Sequence, residues 1–308
     1  MPSNLPGMIR IFIFFISLLL ISDPGTYTSG NHISIQDPII RFGLISDVQF
    51  CKCEASGNRY YSNSINKLRD ALNDFNSEEL DFIINLGDLI EKDSESFPDI
   101  LPVLDSSYAK VYHVLGNHDF EVDGKEKKSI FSILETGPGY YSFDLEGFRF
   151  IITNTNDIST YSPFKSKRKE AEKLIQDITA EDGKNAYQWN GGIGKEQVEW
   201  LKAELSEAKR LKMKVIVFSH HPIWPESLYN VLNYKEIISI IEDYDHIIAW
   251  LCGHNHQGGY GNFNLVHCVN FKGMVDTPDL NAYSVIEIYQ NKIWIKGRGR
   301  QKSQILAY

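Results

Sequence analysis

The sequence predicts an α/β fold with two packed sheets and helices outside, built as a single domain from about residue 38 to residue 308. Short apolar runs alternate with helically periodic segments, and pairs of adjacent strand-like runs close the chain. Five of the apolar runs end in Asp, Asn, Gln or His, at the place where open α/β sheets hold their ligands. A chain of 308 residues is long enough to bury a sizeable core. A hydrophobic share of 43% and a charged share of 23% are those of a soluble globular protein. The net charge of −9 excludes a general basic footprint for nucleic acid or an anionic membrane. An acidic enzyme still takes an anionic substrate when metal ions supply the local positive charge.

The chain opens differently. Arg10 precedes the apolar run Ile11 to Ile21, which is too short for a comfortable span of a roughly 30 Å hydrocarbon core. With Ser22-Asp23-Pro24-Gly25 behind it, residues 1–25 resemble a secretory signal peptide, and an uncleaved N-terminal anchor is the alternative because no clean small-x-small cleavage site follows. The expected location is therefore exported (periplasmic or secreted) or membrane-anchored, with membrane contact only through this segment. Residues 26–37 are polar and read as a linker.

Each element of the domain follows from its own pattern. Pro38 to Ser46 is a strand ending at Asp47, and the loop behind it carries Cys51, Cys53, Gly57 and Arg59. Ile65, Leu68, Leu72 and Phe75 recur at helical spacing and predict a helix over Tyr61 to Asn76. Asp81 to Ile84 is a buried strand running into Asn85-Leu86-Gly87-Asp88, where Gly87 permits a sharp, close turn. Residues 94–108 hold two prolines and read as a partly helical connection. Lys110 to Leu115 is a strand delivering Asn117 and His118, and Tyr140–Asp144 with Phe148–Thr153 form a hairpin about Leu145-Glu146-Gly147. The charged stretch 157–188 is an excursion at the surface with one helix, its Lys and Arg residues forming a solvated face. A helix over Lys195 to Leu211 buries Val198, Leu201, Leu205 and Ala208. Lys214–Phe218 leads to Ser219-His220-His221, a helix passes through Ile237, Ile240 and Ile241, and His246–Leu251 leads to Gly253-His254-Asn255-His256. The runs Phe263–Lys272 and Tyr283–Lys296 are strand-like, with a turn at Gln290-Asn291. Cys51 and Cys53 are too close in sequence for an easy bridge. Cys252 reads as a small buried hydrophobe, a Cys252–Cys268 bridge between neighbouring strands being the alternative.

The five strand ends carry the chemistry. Carboxylates suit hard divalent ions and imidazoles suit borderline metals such as Mn, Fe or Zn, so a mixed Asp/Asn/Gln/His set fits a two-metal hydrolytic site. Ions in such sites sit roughly 3.5–4 Å apart, which calls for a bridging ligand, and Asp88 is the expected bridge. His118, next to Asn117, is placed to protonate a leaving group or stabilise phosphate charge, with Asp119 as the residue that orients it. Any single histidine has a bland alternative as a hydrogen-bonded core or loop residue. Five loaded strand ends together do not.

The series Asp47-x-Gln49, Gly87-Asp88, Gly116-Asn117-His118-Asp119, His220 and Gly253-His254-x-His256 resembles the calcineurin-like metallophosphoesterase superfamily. More narrowly, the chain is similar to the manganese-dependent ADP-ribose/CDP-alcohol diphosphatases. That group shares Gln49 in the third position of the first motif, Arg59-Tyr60-Tyr61, Asn190-Gly191-Gly192-Ile193-Gly194, Gly258-Gly259-Tyr260 and Lys296-Gly297-Arg298-Gly299. The resemblance implies a four-layer α/β/β/α sandwich with two mixed sheets. It implies one divalent ion on Asp47, Gln49, Asp88 and His256 and a second on Asp88, Asn117, His220 and His254, with Mn2+ expected and Mg2+, Fe or Zn2+ as alternatives. His118 matches the catalytic histidine. The implied reaction is hydrolysis of the pyrophosphate in a small nucleoside diphosphate–X substrate such as ADP-ribose, CDP-choline or CDP-glycerol, giving a nucleotide and X-phosphate. Arg59 is the expected partner of the second phosphate. In the loop between Gln49 and Arg59, Cys51-Lys52-Cys53 replaces the longer acidic and aromatic stretch of the relatives, which bears on base and alcohol preference.

A phosphomonoesterase or cyclic-nucleotide phosphodiesterase on the same dimetal centre is the competing enzyme, against which Gln49 and Arg59-Tyr60-Tyr61 argue. A binding scaffold that kept the fold and lost the chemistry is the competitor from another class. Such a scaffold is expected to lose ligands or His118, and none is missing.

Overall fold

Strands that are apolar on both faces need cover on both, which here comes from a second sheet on one side and helices on the other. The computed structural model describes residues 37–308, which form one compact unit, Asp37–Tyr308. The expected leader (1–25) and all but the last residue of the expected linker (26–37) lie outside the described residues. Among the described residues, no helix is long and apolar enough to cross a membrane.

The chain begins with β1 (Ile40–Ile45), α1 (Tyr61–Asn76), β2 (Phe82–Asn85), α2 (Phe97–Leu104), β3 (Val111–His113) and the single turn α3 (Ile130–Ile133). The hairpin β4 (Tyr141–Leu145) and β5 (Phe148–Ile152) follows, then α4 (Lys165–Ala180), α5 (Lys195–Arg210) and β6 (Lys214–Ser219). The last part holds α6 (Tyr234–Ile241), β7 (Ile247–Cys252), β8 (Gly259–Phe263), β9 (Val266–Asn270), β10 (Ala282–Ile288), β11 (Lys292–Gly299) and β12 (Gln304–Ala307). One sheet has the order β12-β11-β10-β1-β2-β3 and the other β4-β5-β6-β7-β9-β8. In the first, β1, β2 and β3 are parallel while β10 runs against β1; in the second, β5, β6, β7 and β9 are parallel with β4 and β8 antiparallel at the edges. Both sheets are mixed, as expected.

Between the sheets, Phe42 stacks on Phe82 at 4.7 Å and meets Phe218 edge-on at 6.0 Å. Each fully buried side chain of this kind stabilises the fold by roughly 1.5–3 kcal/mol. Outside the first sheet, α1 buries Leu68, Ala71, Leu72 and Phe75, one face at i, i+3, i+4 and i+7. Gly43 lets that helix approach, since a Cβ there would lie 2.8 Å from the Phe75 ring. Outside the second sheet, α5 buries Val198, Leu201, Leu205 and Ala208 alongside Ile237 and Ile241 of α6. The four-layer α/β/β/α sandwich is complete. Helix α4 buries only Ala171, in keeping with a surface excursion.

Three details differ from the sequence reading. The segment before Val266 forms a strand of its own, β8, which pairs back on β9 about Asn264-Leu265. A further short strand, β12, closes the first sheet against β11. Cys51 and Cys53 are joined as a disulfide, because the chain bends at Lys52 and brings their Cα atoms to 5.3 Å, within ordinary disulfide reach. Cys252 and Cys268 are both free and buried.

Candidate metal centre

All five ligand-bearing loops leave the same end of the sandwich. The segments behind β1 and β2 hold each other rigidly: Asp47 N–H donates to the Gly87 carbonyl at 3.1 Å and Gln49 N–H to the Asp88 carbonyl at 2.8 Å. Met274 and Val275 donate to the carbonyls of Ser46 and Asp47 from the other side. Asp47, Gln49, Asp88 and His254 all have positive φ, at 51°, 45°, 53° and 69°. Such a conformation costs a non-glycine residue on the order of 1–3 kcal/mol, and the surrounding hydrogen bonds hold it. Asp47 and Gln49, two apart, would share one face of a regular strand, and at positive φ they leave strand geometry and are aimed by the loop instead. Gly87, at φ 98°, is needed for closeness: a Cβ there would lie 2.7 Å from the Gly116 nitrogen and 2.8 Å from His220 Nδ1.

The seven predicted ligands converge, and all are buried. Asp47, Asp88 and His220 offer ligand atoms within 4.8 Å of one another. Asp88 Oδ2 lies 3.2 Å from both His220 Nε2 and Gln49 Nε2, and His220 Nε2 lies 3.2 Å from Asn117 Oδ1. His256 Nε2 is 3.4 Å from Asp47 Oδ1. Gln49 Oε1 is buried with no hydrogen-bond partner among the described residues, a costly state that a cation would relieve.

Each histidine expected as a ligand has one nitrogen engaged by a protein group, the arrangement that orients an imidazole toward a metal. His220 Nδ1 donates to the Leu86 carbonyl at 2.9 Å, which leaves Nε2 for the site. His256 Nδ1 faces Asp276 Oδ1 at 2.9 Å, and His254 Nε2 faces Asn190 Oδ1 at 3.1 Å, leaving His254 Nδ1. His221 is different: Thr155 Oγ1 takes Nδ1 at 2.7 Å and the Trp189 carbonyl takes Nε2 at 3.0 Å. Its two nitrogens are used by protein groups, so its nearness to His220 and His254 does not make it a ligand.

The charges interlock. Burial pushes the Asp88 carboxyl up, but His220 and His118 outweigh that and hold it well below its ordinary value. Asp47 is likewise lowered, against burial, mainly by His256. Burial works against charge on His220 and His256, yet Asp88 and Asp47 respectively lift them to about 9. Burial, with His221 and His220 beside it, holds His254 well below the ordinary imidazole value. Two buried carboxylates ringed by imidazoles and amide oxygens form a donor set fit for divalent cations.

His118 sits at the wall of a cavity of about 380 Å³ that also takes in Gln49, Asp88, Asn117, His254, His256 and Arg59. Its Nε2 is 4.0 Å from Asp88 Oδ2, while Nδ1 is 3.0 Å from Glu91 Oε2 and 3.5 Å from Glu121 Oε1. Burial disfavours the imidazolium, but Asp88, Glu91 and Glu121 prevail and raise its pKa. Asp119 does not orient the ring. It accepts the backbone N–H groups of Asp88, Leu89, Ile90 and Gly116 at 3.1, 2.8, 3.3 and 2.9 Å, and so clamps two ligand loops together. Burial and Asp88 push its carboxyl up to about 7. Arg59 is half-buried on the cavity wall, and among the described residues its guanidinium is paired with no carboxylate. Lys92 Nζ covers the carboxylate pair from outside, 3.2 Å from Glu121 and 3.6 Å from Glu91. A larger cavity of about 690 Å³ lies by β3 and β4, but it holds none of the predicted site residues.

Sequence reasoning missed Glu91, Glu121, Asp276 and the contact of Asn190. Lys296 and Arg298 of the shared motif near the chain's end make structural contacts, Lys296 reaching Glu287 at 2.6 Å and Arg298 reaching Asp74 at 3.2 Å.

Comparison with known proteins agrees with this geometry. The profile of the calcineurin-like phosphoesterase family matches residues 40–258. A manganese-dependent ADP-ribose/CDP-alcohol diphosphatase of Mus musculus is 29% identical over 320 residues, covering 88% of this chain and 94% of that protein. The protein of the same name from Arabidopsis thaliana is 27% identical over 301 residues, covering 87% and 97%. A dimetal phosphatase structure from Danio rerio superposes with a TM-score of 0.79 at 24% identity, covering 88% of this chain and all of that one.

Proposed function

The chain belongs to the calcineurin-like phosphoesterase family and is a metal-dependent hydrolase, and on that premise we propose that it cleaves the pyrophosphate of nucleoside diphosphate–X compounds of the ADP-ribose and CDP-alcohol type. The products are a nucleotide and X-phosphate. One observation supports this reading over a simple phosphomonoesterase. The cavity that gathers the ligand residues and His118 also presents Arg59, a guanidinium with no carboxylate partner among the described residues. A diphosphate has a second phosphate that needs such a partner, and the planar fork of Arg matches it.

In the proposed assignment Asp47, Gln49, Asp88 and His256 hold one divalent ion, and Asp88, Asn117, His220 and His254 hold the other, manganese being the metal named for the relatives. When bound, the ions supply Lewis-acid charge to the phosphate under attack. His118, raised in pKa by Asp88 and by Glu91 beside its Nδ1, gives a proton or a charge-assisted hydrogen bond to the phosphate or its leaving oxygen. Arg59 anchors the neighbouring phosphate and thereby sets which of the two phosphorus atoms is presented for attack, the bridging oxygen leaving with the other phosphate.

A panel of ADP-ribose, CDP-choline, CDP-glycerol, cyclic nucleotides and phosphomonoesters, assayed with Mn2+ and with Mg2+, tests the proposal. The expected result is the highest kcat/KM on the two diphosphate classes. A preference for cyclic nucleotides or monoesters overturns it.

A further inference from the structure

We propose that Trp189 is the platform on which the nucleobase of the substrate stacks, an assignment that rests on the diphosphatase reading and adds the recognition of the base to it. The indole lines the cavity of the candidate metal centre yet remains 39% exposed. Its open surface at the cavity wall offers a flat ligand a ring to pack on. Tyr187 stacks against the indole at 4.2 Å with an interplanar angle of 14°, which backs one face and stiffens the ring.

The backbone fixes how far this ring stands from the reacting phosphate. The Trp189 carbonyl accepts from His221 Nε2 at 3.0 Å, and His221 is the neighbour of ligand His220. The next residue, Asn190, places its side-chain oxygen 3.1 Å from Nε2 of ligand His254. The segment is thus tied at two successive residues to both histidine motifs. Arg59 supplies the cation of the cavity that no carboxylate pairs with among the described residues, Lys92 being held by Glu121 and Glu91, while Trp189 and Tyr229 supply aromatic surface. Phosphate belongs with Arg59 and a planar base with the aromatic pair. Because every base has a π-face, stacking of this kind accepts adenine and cytosine alike, with no hydrogen-bond code to separate them.

The test compares ADP-ribose and CDP-choline with P1,P2-di(ribos-5-yl) diphosphate, which keeps the sugar and the anhydride and lacks a base. Wild type is expected to prefer both nucleotides. In Trp189→Ala, the ratio of kcat/KM for each nucleotide over the base-free diphosphate should drop about 5- to 150-fold, the range spanned by base–aromatic stacking, with the loss in KM. Trp189→Phe, which keeps a ring, should recover most of the ratio, and metal content should match wild type in both variants. A ratio unchanged in Trp189→Ala overturns the platform, and so does a loss that Phe fails to recover. Wild type that cleaves all three diphosphates equally overturns the platform and leaves the diphosphatase standing. Wild type that cleaves none of them brings down both.

Discussion

His118 Nδ1 stands 3.0 Å from a carboxylate oxygen of Glu91, three residues beyond Asp88, and not against its sequence neighbour Asp119. The two acids therefore have separable jobs. His118→Ala should lower turnover on the order of 10²- to 10⁴-fold with metals retained. Glu91→Gln should reproduce a smaller part of that loss, also with metals retained. Asp119→Ala instead removes the acceptor of four buried N–H groups, each costing roughly 1–3 kcal/mol when unmet, so it should lower Tm and metal content together. Turnover per bound metal and thermal melts separate the cases; an Asp119→Ala protein with normal Tm and low turnover would reverse the assignment.

Asp88 Oδ2 is equidistant, at 3.2 Å, from a side chain of each proposed ion site, Gln49 and His220. Asp88→Asn should lower occupancy of both sites together, whereas Gln49→Ala should weaken one. Metal content after dialysis decides it, and two tightly held ions in Asp88→Asn would end the bridging assignment.

Arg59→Lys keeps the charge and removes the fork. It should damage hydrolysis of ADP-ribose far more than that of 4-nitrophenyl phosphate at equal metal loading, because only the first has a neighbouring phosphate. Equal losses on the two substrates would show that Arg59 does not read the second phosphate.

His113, on β3 and away from the metal centre, gives a pH prediction. Burial lowers its pKa from 6.5 to about 4, and its Nδ1 faces the Asn85 amide nitrogen at 3.2 Å, an arrangement that suits the neutral ring. Between those values the unfolded chain holds a proton that the folded chain lacks, so stability is complete above pH 6.5 and falls as pH drops toward 4. His113→Gln should flatten this acid slope. Denaturant midpoints at pH 7 and pH 4.5 check it, and identical slopes in wild type and variant would refute it.

The legible parts of the molecule were those written in local pattern. The span Tyr61–Asn76 and the buried stripe of α5 were recoverable because helical periodicity is a property of neighbouring residues. The convergence of the seven candidate ligands was recoverable because their strand ends are loaded with metal-binding types. Strand β8 was hidden because Gly259, Tyr260, Gly261 and Asn262 form an exposed edge with little apolar signal. The residues behind the ligands were hidden for another reason. Asp276 looks like any acid in a loop until the fold brings it to His256, and Glu91 differs from other surface-like acids only by its spacing from Asp88. The Asn190-Gly191-Gly192 motif was visible, but its contact with His254 spans 64 residues and is a product of topology.

That topology has a mechanical consequence. Asp47, Gln49, Asp88 and Asn117 hang from the sheet containing β1, β2 and β3, while His220, His254 and His256 hang from the sheet containing β6 and β7. In the proposed assignment, each ion takes ligands from both. The pair would act as rivets through the seam of the sandwich at one end, where the joint otherwise rests on apolar contact and a few hydrogen bonds such as that from His220 Nδ1 to the Leu86 carbonyl, which yield more readily than coordination bonds. Chelation would then free the sheets to shear past one another at the ligand end, and amide exchange should quicken there first, at the mouths of β1 and β7, before the opposite edge responds.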